Sequence, residues 1–259
     1  MPKAASHAPP AHASLLQVLT DLGLHAPRAP KKSFADRLAE LIDLSGAIDL
    51  SEFLRALGRI APGDIPGAGE RDHPREVFQS RRAAMLEAMA QSFSPAPAGE
   101  STSPAALRLP RPRPETLSGN AEAWAPYLRF YALQQSEMER RVAALRRALR
   151  QHLAATSTGL AQLAALDTTL DDTLADYARR SLAALPRLLN RRFTALAAAW
   201  RDTAAAAGSP GEPDDWLQEG GWLWQFHRDM QRLLLAELSL RLQPLQGMLD
   251  ALDCVDKEP

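Results

Sequence analysis

The chain has 259 residues, 46% hydrophobic and 24% charged, and its thirty basic residues against thirty-one acidic ones leave a net charge of −1. That balance excludes a global electrostatic pull toward nucleic acid or anionic lipid, so any such binding needs a local patch. A single cysteine, Cys254, excludes an internal disulfide and a thiolate metal cage, and no run of about 18 apolar residues is present to span a membrane.

Few Val and Ile, abundant Ala, Leu, Arg and Glu, and no alternation of apolar and polar residues predict an all-α fold. The opening MPKAASHAPPAHAS lacks the apolar core of a signal peptide, and the chain reads as cytoplasmic. Residues 1–30 are expected to be mostly disordered, with a short helix in SLLQVLTDLGL. Residues 31–93 form an N-terminal group of short helices. In the first, Ser33 caps an apolar face of Phe34, Leu38, Leu41 and Ile42. Gly46 breaks it, and Asp49 with Glu52 resembles a capping box for a second helix carrying Phe53, Leu54, Leu57 and Ile60. A third runs from about Arg75 to Phe93.

Residues 94–119, SPAPAGESTSPAALRLPRPRPETLSG, are rich in proline and read as an extended linker whose RLPRPRP core favours polyproline II geometry. Beyond it, residues 120–252 predict an antiparallel bundle of long helices, followed by a flexible tail at 253–259. The stripe Trp124, Tyr127, Leu128, Tyr131, Met138, Val142, Leu145, Leu149 and Leu153 holds one helical face until TSTG (156–159) breaks it. A second stripe, Leu160, Leu163, Leu166, Leu170, Leu174 and Tyr177, changes angle at Pro186, which predicts a kink or a fresh helix there. The last helix is expected from about Trp216 to Leu252.

No catalytic, metal or cofactor residue is nominated by this pattern. The six histidines are scattered, Glu-x-x-His and HExxH are absent, and so are the phosphate-binding glycine loops. Glu237 and Arg241, spaced i,i+4 with the acid first, read as an ion pair sealing a helix seam, with Pro244 bending the helix. Trp216, Trp222 and Trp224 either cap the bundle's end or form a surface for a protein partner, the best such surface in the chain. Arg140, Arg147 and Arg150, with Arg187 and Arg191, are the candidate anion or nucleic-acid patch, weighed against pairing with Asp167, Asp171, Asp172 and Asp176. An enzymatic site would have to draw on Glu237, Arg241 and His152.

The segments SFADRLAELIDLSGAIDLSEFLRAL, YLRFYALQQSEME, QLAALDTTLDD, LPRLLNRRF and LLLAELSLRLQPLQGMLDAL resemble a proteobacterial family catalogued as domain of unknown function 3348, over residues 33–60 and 127–252. The resemblance implies no activity and no functional residues. Its members often sit beside genes for a proton-channel protein similar to flagellar stators. This implies an accessory role in such a membrane assembly, and the chain is therefore read as a non-enzymatic interaction or scaffold protein, with a nucleic-acid-associated helical protein as the alternative. Whether it forms a homo-oligomer stays open.

Overall fold

The computed structural model describes residues 11–24, 44–61, 73–94, 107–209 and 211–255. The expected Ser33-capped helix and most of the proline-rich stretch before residue 107 lie outside them, as do residues 1–10 and 256–259. Among the described residues the fold is all-α, with no strand and with long helices packed against one another. The helices are α1 (Ala11–Asp21), α2 (Leu44–Ala56), α3 (Pro74–Phe93), α4 (Ala121–Thr156), α5 (Thr158–Leu182), α6 (Leu185–Ala207) and α7 (Trp222–Val255).

Local chemistry sets most of these boundaries. Asn120 Oδ1 accepts from the Ala123 amide at 2.9 Å and starts α4. Ser157 separates α4 from α5 and caps the latter, its hydroxyl accepting from the Leu160 amide. At the end of α1, Gly23 takes φ +69, the Leu24 amide reaches back to the Leu19 carbonyl at 2.8 Å, and the Gly23 amide to Thr20. That is a Schellman cap, with Leu19 and Leu24 both buried as its apolar clasp. At Pro186 the chain makes two helices, α5 and α6, separated by turn residues Ala183 and Ala184. Proline costs nothing there because an amide in the first turn has no helical acceptor.

The described chain divides into two compact units, and neither is a contiguous stretch. Among the described residues the first gathers 11–24, 86–94, 107–138, 186–209 and 211–241; the second gathers 44–61, 73–85, 139–185 and 242–255. This differs from the expected succession of an N-terminal region, a linker and a bundle, because α3, α4 and α7 each contribute to both units. In the first unit α4 and α7 run parallel, Trp124 meeting Phe226 and Tyr131 meeting Glu237, while α6 runs antiparallel to both. Its core is aromatic: Phe193 lies 5.3 Å from Tyr127, 5.1 Å from Phe226 and 5.4 Å from Trp222, ring centre to ring centre. Tyr127, Phe193 and Phe226 are almost wholly buried, and each such side chain stabilises by about 1.5–3 kcal/mol.

In the second unit α4 and α5 are antiparallel, and α2 packs on α5, where Gln162 Nε2 donates to the Leu57 carbonyl at 3.2 Å. Here the expectation at Gly46 fails. The helix runs through Gly46, which is buried, and through Asp49. An internal glycine costs only about 1 kcal/mol, which packing against α5 overrides. The linker reading also fails over its described part. Leu109 donates its amide to the Ser92 carbonyl at 3.1 Å, and residues Pro114–Ser118 form a 3-10 helix with Thr116 and Leu117 buried. The RLPRPRP stretch is laid against the first unit and is not a free peptide.

A short 3-10 helix, Asp215–Leu217, precedes α7 and turns back through Gly220 and Gly221, so the last long helix starts at Trp222 and not at Trp216. A β-carbon on Gly221 would collide with the Trp216 carbonyl oxygen, so this glycine is fixed by a close backbone approach. Gly247 is the opposite case, exposed in mid-helix with open space where a methyl group would sit. Gly221→Ala should therefore lower the unfolding free energy by about 1–3 kcal/mol, whereas Gly247→Ala should raise it by about 0.5–1 kcal/mol. Urea unfolding of the two variants would show this opposition of sign, and equal effects would contradict it.

Candidate functional site

Glu237 sits at the centre of the first unit's polar chemistry. Its side chain is wholly buried, and α4 and α7 bring five donated hydrogen bonds to it. Tyr131 Oη donates to Oε2 at 3.0 Å, Gln135 Nε2 lies within 3.1 Å of both oxygens, and Arg241 donates through Nε and a terminal nitrogen at 3.0 and 2.8 Å. The sequence pairs Glu237 with Arg241 by spacing alone. Tyr131 and Gln135 are legible there only as stripe and flank, because nothing in a single helix reveals which acceptor faces it. Burial pushes the Tyr131 phenol well above its ordinary pKa, and the charge and hydrogen bond of Glu237 push it further, with Arg241 partly opposing. It stays a donor. A carboxylate so saturated, with no nucleophile beside it, locks a helix seam. His152, the third residue of the enzymatic alternative, belongs to the other unit.

The three tryptophans do not form one surface. Trp216 and Trp222 are 2% and 3% exposed, with ring centres 5.9 Å apart and Trp222 against Phe193. They close the aromatic core, so two of the three candidate partner residues are corrected to core residues. The reason lies in the Gly220–Gly221 turn, which folds Trp216 back over the start of α7. Trp224 alone is half-exposed, and the Arg228 guanidinium lies over its ring at 4.7 Å.

The arginine patch is also divided. Arg150 is half-buried, its Nε 2.7 Å from Asp167 and a terminal nitrogen 3.0 Å from Asp171, and Arg146, which helix patterning does not single out, clasps the same two acids. Burial alone would raise the Asp167 carboxyl, but the hydrogen bonds and charge of Arg146, then Arg150, hold it below its ordinary value. Matching four-residue spacings, 146/150 and 167/171, are the available signal for this ladder. Asp172 is exposed, and Asp176 pairs locally with Arg179. Arg192 is paired with Asp229 across α6 and α7 at 2.9 Å. Arg140 is exposed but engaged. Arg147, Arg187 and Arg191 are exposed, without an acidic partner among the described residues.

His227 adds a group that no sequence pattern marks. Its ring packs against Tyr127 at 5.8 Å and Phe226 at 6.2 Å, and its Nε2 is sealed from solvent without a hydrogen-bond partner, as are Tyr127 Oη and Trp222 Nε1. Burial pushes the imidazole down to about 4 and the Tyr127 phenol upward. Among the described residues no group of three or more metal-binding side chains occurs, and no helix is long and apolar enough to cross a membrane.

The sequence profile of the family described as Protein of unknown function (DUF3348) matches residues 1–254, and the chain belongs to that family. The match includes the proline-rich stretch that the resemblance left out. No curated protein and no solved structure matches the chain.

Removing the Tyr131 hydroxyl with Tyr131→Phe should cost about 1.5–3 kcal/mol, the range for a bond to a charged group. Glu237→Ala, which strands Arg241, should cost about 3–5 kcal/mol. Denaturant unfolding of the singles and the double should show non-additivity, and additive costs would mean that the two groups act apart. For His227 the folded pKa lies below the unfolded one, so the unfolded chain binds more protons between pH 6.5 and 4. Stability should fall as pH drops through that window, by roughly 3–4 kcal/mol at about 1.4 kcal/mol per pKa unit. His227→Phe should remove that component of the pH profile; an unchanged profile would contradict the assignment.

Proposed function

We propose that this chain is a non-enzymatic helical interaction or scaffold protein of the cytoplasm whose partner is another protein. The observation that carries the reading is the Trp224–Arg228 pair, a half-exposed indole under an exposed guanidinium on α7. Tryptophan and arginine are the residue types that dominate binding energy at protein interfaces. The polar groups that would otherwise suggest chemistry support the same reading. Glu237, Asp167 and Asp229 are each consumed by helix-to-helix contacts.

The family resemblance supplies a first partner to test, a stator-like proton-channel membrane assembly to which this chain would be an accessory. Neighbourhood of genes is an association, and the pair on α7 does not depend on it. A second reading, association with nucleic acid, is supported by Arg187 and Arg191, exposed one turn apart on α6, and by Arg147. The pairing of Arg146, Arg150, Arg179 and Arg192 leaves that reading few free cations.

Tagged protein drawn from native cells with nuclease and detergent-solubilised membranes should retain protein partners. Trp224→Ala with Arg228→Ala should lose them at least tenfold while the circular dichroism spectrum stays helical. Retention by that double variant would remove α7 as the surface. Recovery that vanishes with nuclease, or with Arg187→Glu and Arg191→Glu, would replace the reading with the nucleic-acid one.

A further inference from the structure

We infer that the outer face of α7 in the first unit recognises a carboxylate set beside an apolar side chain on the partner protein, with Arg228 as the anion receptor and Trp224 as its platform. The inference rests on the interaction reading above and specifies the chemistry of the partner. Along the part of α7 in the first unit, residues 222–241, the charged residues are Arg228, Asp229, Arg232, Glu237 and Arg241. Four of them are neutralised inside the unit: Asp229 by Arg192 at 2.9 Å, Arg232 by Asp21 at 2.8 Å, and Glu237 with Arg241 at 2.8 Å. Arg228 alone lies over a ring, and no carboxylate among the described residues pairs with it.

The Arg228 guanidinium carbon lies 4.7 Å from the centre of the Trp224 ring, and no carboxylate among the described residues takes its N–H donors. Resting against the ring also restricts the rotamers of the side chain, which lowers the freedom that binding would otherwise cost. A planar fork of donors fits a carboxylate in two parallel hydrogen bonds.

The neighbours on the same face decide between a carboxylate and a polyanion. Residues 224, 228, 231 and 235 recur at the i,i+4,i+7,i+11 spacing of one helical face, and all four are at least partly exposed. Trp224 and Leu235 are apolar, Gln231 is uncharged, and Arg228 is the single unpaired cation among them. Nucleic acid and anionic membranes are held by several cations at once, each adding to the salt dependence. One cation between apolar neighbours fits one acid flanked by apolar side chains, as on an amphipathic helix laid along α7.

The test uses the full chain labelled with nitrogen-15 and follows its five tryptophan indole N–H signals. The probe is a capped, leucine-flanked di-glutamate peptide, with its di-glutamine twin as control. Trp224→Phe assigns the signal. The expected result is a saturable shift of the Trp224 resonance with the di-glutamate peptide, at least tenfold weaker with the twin. Arg228→Met should abolish the shift, while Arg228→Lys, which keeps the charge but not the fork, should weaken it several-fold. Equal response to both peptides, no response to either, or a stronger response to a short DNA duplex would each overturn the inference. Because the pull-down reports any partner and the peptide titration reports carboxylate recognition, a Trp224-dependent partner without a di-glutamate response would leave the interaction reading intact and refute this one.

Discussion

A carboxylate with no exposed surface must be saturated with donors, and at Glu237 that requirement organises the first unit. Water no longer compensates the charge, so each missing donor would cost more than a hydrogen bond ordinarily contributes. The donors come from two helices, Tyr131 and Gln135 from α4 and Arg241 from α7, so the two can satisfy the charge only in one relative register. The aromatic core alone would tolerate small slides, since rings meet rings at many offsets. The carboxylate does not. Replacing such a group with an apolar one of equal size can be neutral in stability; what it supplies here is a single alignment of α4 on α7.

Electrostatics elsewhere in the chain follow the same rule of internal closure. Acids and arginines that look like patches along one helix become pairs once a second helix is beside it. Arg146 and Arg150 with Asp167 and Asp171, Arg192 with Asp229, and Arg75 with Asp253 are contacts between helices. Charges left outside these pairs are the informative ones. Arg228 stands out because its companion is an indole, and Arg187 and Arg191 because they have no companion among the described residues.

What could be read from the sequence was what a single helix determines. The long stripes, apart from the exposed Leu128 and Tyr177, the break at Ser157, a change of direction at Pro186 read as a kink or a fresh helix, and the Glu237–Arg241 pair all follow from spacing within one element; at Pro186 the outcome is two separate helices and not one kinked helix. Misreadings arose where a second element decides. Gly46 continues a helix because α5 packs against it, and the Arg- and Pro-rich stretch is held by Ser92 of α3. Trp216 folds back onto Trp222 through a turn in which Gly221 comes close to the Trp216 carbonyl, a constraint invisible until the turn is built. His227 had no pattern to mark it, since a half-buried imidazole beside aromatic rings shares the helical spacing of any residue flanking the core.

The Arg–Asp ladder between α4 and α5 does not by itself align that hairpin. Its four members repeat every four residues on both helices, and each arginine already reaches both acids. Sliding one helix by a full turn would still leave an arginine opposite an acid, so the ladder holds the helices together without choosing among neighbouring alignments. The choice falls to the connection. Only Ser157 separates Thr156 from Thr158, and one residue has no slack to absorb a turn's displacement of about 5.4 Å. Lengthening that connection would free an ambiguity that the charges themselves are unable to resolve.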